Sequence, residues 1–257
     1  MISYTREEYL DLIGDWEDPN PKPVLEEHEG FMVVRDDLLY GGTKARVADY
    51  LIKSNSDVEE WVYGGSPANG YAQVSLSVLC QQYNKKLVLF MAERKPENYT
   101  KNQQLALKIG ADIKWTKMGF LTHTTKLAAD YVNEEPGVRR LIPFGINDPT
   151  VIASFIRVCE NIDYNPLEVW TVAASGTLTR GLQMAYPYAD HFVVEVGHKL
   201  QLHEVGKAWV FPHHLKFDQI PPEDEMPPYP SEPTYDAKVW SFVKKHAKPG
   251  ALVWNVA

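Results

Sequence analysis

An α/β architecture is expected from this sequence. Apolar, β-branched runs alternate with amphipathic stretches through its first two thirds, and short Gly or Ser/Gly/Thr turns stand where a strand would hand over to a helix. The same strand and helix order recurs in the second half. Residues 31–34 form the first strand. Residues 43–52 form a helix, with Ala45, Ala48 and Ile52 at helical spacing and Val47 and Leu51 one turn apart beside them. A strand at 60–63 leads into the turn Gly64-Gly65-Ser66-Pro67 and a helix over 69–83. Asn69 is its expected N-cap, because its side-chain oxygen can accept an amide hydrogen bond there. A buried strand at 86–91, a helix at 101–109 ended by Gly110 and a strand at 112–115 complete a βαβαβ succession.

The second half reads as a strand at 140–143, a helix at 150–161, a strand at 168–173, a loop at 174–179, a helix from Arg180 and a strand at 191–196. From Pro212 to Pro233 the character changes, with six prolines in PPEDEMPPYPSEP alone. Proline lacks the N–H that a helix or central strand needs, so a long ordered loop is expected. A helix at 236–245 and a strand at 251–256 close the chain. The seven tryptophans are scattered and read as core.

Composition narrows the function classes. The 257 residues hold 26 Lys and Arg against 34 Asp and Glu, a net charge of −8, with 44% hydrophobic residues. This is the composition of a globular protein large enough to bury its own core. The acidic balance argues against a dedicated nucleic-acid surface, which needs clustered cations. No apolar run approaches the ~20 residues that span a bilayer, and the acidic start MISYTREEYLDL is unlike an export signal. Cys80 and Cys159 stand far apart without zinc or redox spacing, so a reducing cytoplasm is the expected compartment.

Two segments carry candidate chemistry. In VVRDDLLYGGTKARVADYLI, Lys44 opens a helix after paired glycines, where a lysine could form an imine. Read alone it is an ordinary solvated surface lysine. In VAASGTLTRGL, Ser175, Gly176, Thr177 and Thr179 lie between a buried strand and a helix, where unpaired N–H groups and the helix dipole favour an anion such as phosphate. An ordinary capped turn is the alternative, and the GK[ST] ending of a Walker loop is absent. His198, His203, His213 and His214 do not make a metal site, because the spacing of His198 and His203 does not share a helical face and no cysteine is near.

Together these segments resemble the pyridoxal-phosphate enzymes of the tryptophan synthase β-subunit fold, fold type II, in the aminocyclopropane-carboxylate deaminase and D-cysteine desulfhydrase branch. RDDLLYGGTKAR stands where that branch has RDDL and GGNK-x-R, and Gly64-Gly65-Ser66-Pro67-Ala68-Asn69 where it has GG-x-QSN. Ile142-Pro143-Phe144-Gly145 corresponds to IPGG, Ser175 to Thr179 to the phosphate loop, and Pro233-Thr234-Tyr235-Asp236-Ala237-Lys238 to PVYEGK. The five motifs run in order over most of the chain. The resemblance implies two open twisted αβα sheets with the cofactor between them. It assigns 1–55 with 140–257 to a larger, shortened cofactor domain and 56–139 to a smaller αβα domain.

It also implies roles. Lys44 would hold pyridoxal 5′-phosphate as an imine and later act as general base, which requires an amine able to lose its proton. Asn69 would bond the cofactor's ring oxygen, and Ser175, Gly176, Thr177 and Thr179 its phosphate. Asp236, at the family's glutamate position, would face the pyridine nitrogen, or would be a helix N-cap if the alignment slips there. Tyr235 is a second acid or base candidate, or a packed tyrosine. Substrate would meet Ser66, Ala68, Asn69, Gly70 and His213. Ala68 replaces the branch's serine, Ser66 could substitute for it, and Leu178 and Arg180 replace smaller residues, with Arg180 adding charge at the phosphate or pointing to solvent.

The implied function is a lyase or deaminase acting on the amino group of an amino acid through external aldimine and carbanion chemistry, in a homodimer without membrane or nucleic-acid partners. One alternative is a decarboxylase or related enzyme on an amino acid carried by a larger molecule, such as a modified nucleobase in a virus. Another is a catalytically inactive cofactor-binding or scaffold protein.

Overall fold

The computed structural model describes residues 4–197 and 199–257. The chain divides into two units, Met1–Val47 with Asp148–Ala257, and Ala48–Asn147. In chain order the first unit begins with helix α1 (Arg6–Asp11), strands β1 (Leu25–His28) and β2 (Phe31–Arg35), and helix α2 (Gly42–Val47). The second unit runs through α3 (Asp49–Ser54), β3 (Glu60–Tyr63), α4 (Ala72–Gln82), β4 (Lys86–Ala92), α5 (Lys101–Ile109), β5 (Asp112–Thr116), α6 (Leu121–Glu134) and β6 (Arg139–Leu141). The first unit then resumes with α7 (Pro149–Cys159), β7 (Glu168–Ala173), α8 (Thr177–Ala185), β8 (Asp190–Glu195), α9 (Leu202–Val205), β9 (Trp209–Pro212), α10 (Trp240–His246) and β10 (Leu252–Asn255).

The first unit's sheet has six strands in the order β1-β2-β10-β7-β8-β9. Only β1 with β2 is antiparallel; every other pairing is parallel. All six residues of β7 are buried, as a parallel strand covered on both faces requires. Val33, Trp170, Val194, Trp240 and Val253 form the core between this sheet and α10. The second unit's sheet, β5-β4-β3-β6, is parallel throughout and packs Val62, Val88 and Phe90 against Ala128 of α6. No helix among the described residues is long and apolar enough to cross a membrane.

Several expected elements are corrected. The helix expected at 43–52 is two helices, broken at Ala48, whose ψ of 1° leaves the helical range. The helix expected from Asn69 begins at Ala72 with Tyr71 as N-cap, and Asn69 lies in the turn closed by the Gly70 N–H on the Pro67 carbonyl at 2.8 Å. The helix expected from Arg180 begins at Thr177. Residues 236–239 form a 3-10 turn before α10. Trp209 is 67% exposed on the edge strand, outside the core.

One buried polar cluster fixes the start of α2. Asp36 receives the Thr43 hydroxyl at 2.7 Å and the Arg46 guanidinium at 3.0 Å, and Arg46 also pairs with Asp18 and bonds the Pro21 carbonyl at 2.8 Å. Trp254 of β10 donates its indole N–H to the Thr43 oxygen at 2.9 Å. The paired glycines make the turn possible, since Gly41 and Gly42 have φ of 93° and 65°. Arg46→Met should cost about 3–5 kcal/mol, because Asp36 and Asp18 would stay buried without their cation. Urea unfolding of the variant checks this, and a loss below about 1 kcal/mol would show the cluster to be incidental.

Candidate functional site

In an open parallel sheet, ligands gather at the carboxyl ends of the strands. In the first unit these ends carry Lys44 after β2, Ala174–Thr177 after β7, Gly197 after β8, His213 after β9 and Val256–Ala257 after β10. Lys44 is half-buried, and its Nζ stands 5.8 Å from the centre of the Tyr235 ring. Tyr235 is held by both functions of its hydroxyl, which donates to the Val172 carbonyl at 3.2 Å and accepts the Ala174 N–H at 3.1 Å. It is therefore a fixed platform between β7 and Lys44, and its hydroxyl is already engaged.

Asp236 is 3% exposed. Its Oδ2 accepts the Ala257 N–H at 3.2 Å, while its Oδ1 is buried with no hydrogen-bond partner among the described residues. Asp236 is thus not the side-chain cap of the turn it begins, which has no side-chain cap bond. Burial pushes its pKa up to about 8, against the pull of Lys44 and with a further push from Glu232. Burial likewise moves the Lys44 ammonium below its ordinary range, opposed by Asp236.

The loop after β7 turns at Gly176, whose φ is 69°. A side chain there would also meet the Glu204 carbonyl oxygen at 1.8 Å, so only glycine fits. The first intrahelical bond of α8 runs from the Arg180 N–H to the Gly176 carbonyl at 3.0 Å. The N–H groups of Thr177, Leu178 and Thr179 therefore have no carbonyl below them in the helix. Thr177 is 4% exposed, and its Oγ1 has no hydrogen-bond partner among the described residues. Thr179 is different, since its hydroxyl is paired with that of Thr171 on β7 at 2.9 Å. Ser175 is half-buried. Burial lowers the Arg180 pKa, opposed by the charges of Tyr9 on α1 and Glu204 on α9.

His213 accepts the Leu215 N–H on Nδ1 at 3.0 Å, which assigns its proton to Nε2. That Nε2 is buried with no hydrogen-bond partner among the described residues. The ring is stacked on His214 and lies against Phe242 of α10. Burial, then His214 and Lys238, push it down to about 4, so it is neutral. His203 sits on α9, and His198 lies outside the described residues.

Ser66, Ala68, Asn69 and Gly70 belong to the second unit, in the loop between β3 and α4. Every carbonyl from Pro67 to Gly70 is held from within that unit. Gln73 Nε2 donates to Ala68 at 2.9 Å and to Gly70 at 2.8 Å, Thr100 Oγ1 to Ala68 at 2.6 Å, and Asn102 Nδ2 to Asn69 at 2.9 Å. The peptide bonds are trans, so the Ala68 and Asn69 N–H groups point opposite to the Pro67 and Ala68 carbonyls. Ser66 donates its hydroxyl to the Pro67 carbonyl at 3.4 Å. Sequence reasoning missed Gln73, Thr100 and Asn102; only the Thr100-x-x-Gln103 capping box was a legible signal there.

No protein-family model matches the sequence, and no curated protein matches it. Solved structures do. The chain is similar to an ACC deaminase homologue with TM-score 0.80 and 14% identity, covering 100% of this chain and 95% of that one. It is similar to the processed form of threonine deaminase isoform 2 from Solanum lycopersicum with TM-score 0.71 and 15% identity, over 98% and 84% of the two chains. Diaminopropionate ammonia lyase from Escherichia coli gives TM-score 0.67 and 12% identity, over 99% and 87%. The fold is that of the fold-type-II pyridoxal-phosphate enzymes, as the motif order implies.

The Lys44 and Asp236 pair leaves a mark on stability. Asp236 holds its proton more tightly folded than unfolded, so folding takes up a proton between the ordinary carboxylate range and about pH 8, and its contribution to stability falls as pH rises through that window. Asp236→Asn should match the wild type at pH 4 and gain on it by pH 8. Urea midpoints at both pH values check this; the same difference at both would mean that Asp236 titrates normally.

Proposed function

We propose that this chain is a pyridoxal-phosphate-dependent enzyme acting on the amino group of an amino acid, of the lyase or deaminase kind. The observation that carries this reading is the unpartnered, buried Asp236 Oδ1 on the same unit as a desolvated Lys44. A buried carboxylate oxygen without a donor is costly unless a ligand supplies one. The residues fit the group: Asp236 can accept from a protonated pyridine nitrogen, and Lys44 can offer a neutral amine to an aldehyde. The Thr177 hydroxyl and the amides of Thr177, Leu178 and Thr179 can hold a phosphate. When bound, the cofactor supplies an aldehyde that condenses with amines and a ring that draws electrons from the substrate's α-carbon.

The chain's own residues would do the rest. Lys44, kept below its ordinary pKa by burial, would take the proton from the α-carbon as a neutral amine and later return it as the ammonium. Tyr235 keeps the lysine's surroundings apolar and fixed. In the phosphate loop Ser175 and Gly176 shape the turn, while Thr179 contributes its amide and spends its hydroxyl on Thr171. In the second unit Asn69 would bond the cofactor's ring oxygen. The Ser66–Gly70 loop would receive the substrate's carboxylate on the Ala68 and Asn69 amides. His213, neutral and with an unpartnered Nε2–H, would donate to substrate. The missing hydroxyl at Ala68 weighs against ring-opening or β-elimination chemistry that would use it. A homodimer belongs to the same reading.

Borohydride reduction of the protein loaded with pyridoxal phosphate should fix the cofactor on the peptide containing Lys44. Label on another lysine, or none, would sink the assignment. Thr177→Asp should weaken cofactor binding severely, since it sets a negative charge against the phosphate. Asp236→Ala should retain the Lys44 label yet lose turnover by roughly 2–4 kcal/mol of transition-state stabilisation. Full turnover in that variant would remove Asp236 from the site.

A further inference from the structure

The second unit holds a clip that none of the assigned roles uses. Gln73 is wholly buried in the first turn of α4, yet its side-chain nitrogen turns back to the loop before the helix and donates to both Ala68 and Gly70. A third, longer approach of 3.4 Å reaches Pro67. Thr100, the N-cap of α5, donates to the same Ala68 carbonyl, and Asn102 in the first turn of α5 donates to Asn69. The carbonyls of Ala68, Asn69 and Gly70 are thus drawn toward one body, the junction of α4 with α5, while that of Pro67 closes the turn on the Gly70 N–H. Gly70 allows the close approach, since a side chain there would stand 2.9 Å from the Pro67 ring.

A planar trans peptide sends its N–H opposite to its C=O. Drawing the carbonyls of Pro67 and Ala68 inward therefore turns the amides of Ala68 and Asn69 outward as adjacent donors. We infer that Gln73, together with Thr100 and Asn102, is the positioning set that gives this loop its preference for a carboxylate-bearing amine over the same amine without a carboxylate. The inference rests on the assignment of the substrate's carboxylate to this loop. Gln73 does not touch the substrate; it acts through the orientation of the peptides. Without its donors the loop can rotate its peptides and present a carbonyl, which repels a carboxylate, where it now presents an N–H.

Serine and ethanolamine share the amine and hydroxyl and differ by the carboxylate, so their affinities separate the carboxylate's contribution from the rest. They are measured by titration of the visible absorption of the loaded protein. The wild type should bind serine, as the L or the D form, at least about tenfold more tightly than ethanolamine. Gln73→Met, close in size but without a donor, should lose about tenfold for serine and leave ethanolamine unchanged, with Lys44 still labelled by borohydride. Thr100→Val and Asn102→Ala remove one bond each and should show the same selective loss to a smaller degree, which covers the case in which Gln73→Met does not fold. In the unloaded proteins, amide exchange of the peptide spanning 64–72 should be faster in each variant than in the wild type. A wild type that binds serine no better than ethanolamine overturns the carboxylate assignment and this inference with it. A wild type with the preference, and folded variants that keep it undiminished, overturn the clip alone.

Discussion

The buried pairing of Arg46 with Asp36 is the constraint on which the candidate site rests. It joins the end of β2 to α2, and through Thr43 it reaches Trp254 on the central strand β10. Two ions removed from water are a poor source of net stability, but once buried together neither can leave without stranding the other. The pair therefore acts as a locator. Lys44 lies between Thr43 and Arg46 in sequence, on a helix of six residues that has little stability of its own. Its position is set by neighbours anchored to the sheet on either side.

The same segment shows how charge is partitioned. Arg35 binds Asp37 and Glu26, Asp36 binds Arg46, and Asp37 also accepts from Asn255 of β10. The charged residues flanking the lysine are thereby spent on holding β2, β10 and α2 together. Lys44 answers only to the more distant charge of Asp236, which opposes but does not overcome desolvation. Asp236 in turn accepts the Ala257 N–H on Oδ2 and feels the charge of Lys44. A structural ion pair would bring its partners to contact and complete their hydrogen bonds; Asp236 has an oxygen left over. Perturbed and incompletely satisfied groups of this kind are expected where a ligand, not the fold, completes the bonding.

Much of the fold was legible because its strands are short apolar runs punctuated by glycine and proline. Strand β3, helix α5 and strand β7 were read with the bounds they have, each fixed by a local signal such as Gly110, which takes φ of 118° at the end of α5. The edges were not legible. Strand β1 has no buried residue, β9 exposes Trp209 and Val210, and α6 begins in a threonine-rich stretch with only Thr124 and Ala128 buried. Such elements are held by their neighbours more than by their own pattern. Lys44, Gly176 and Asp236 could be named as candidates because glycine turns and motif order mark them, whereas Gln73 was invisible as a loop anchor because a buried glutamine has no pattern until its partners are known. Asn69 was misread as a cap for a related reason: the turn closed by the Gly70 N–H on Pro67 delays the helix to Ala72, and Thr100 and Asn102, which also hold that turn, stand some thirty residues away in sequence.

The backbone of the proposed phosphate loop explains how the unusual residues around it can be tolerated. Leu178 and Arg180 replace smaller residues in a loop that resembles a phosphate site, and a side-chain-based site would be disturbed by both. Here the donors aimed past the loop are mainly backbone amides, and those depend on the turn at Gly176 and not on the side chains that follow. Arg180 feels the charges of Glu204 and Tyr9, and Thr179 is turned down to Thr171, so the Thr179 side chain ties α8 to β7. Glu204 also supplies the carbonyl that forbids any residue but glycine at position 176. Thus α9 closes on the loop from behind, and the N–H groups of the first turn of α8 are held where an anion can meet them without any cationic side chain.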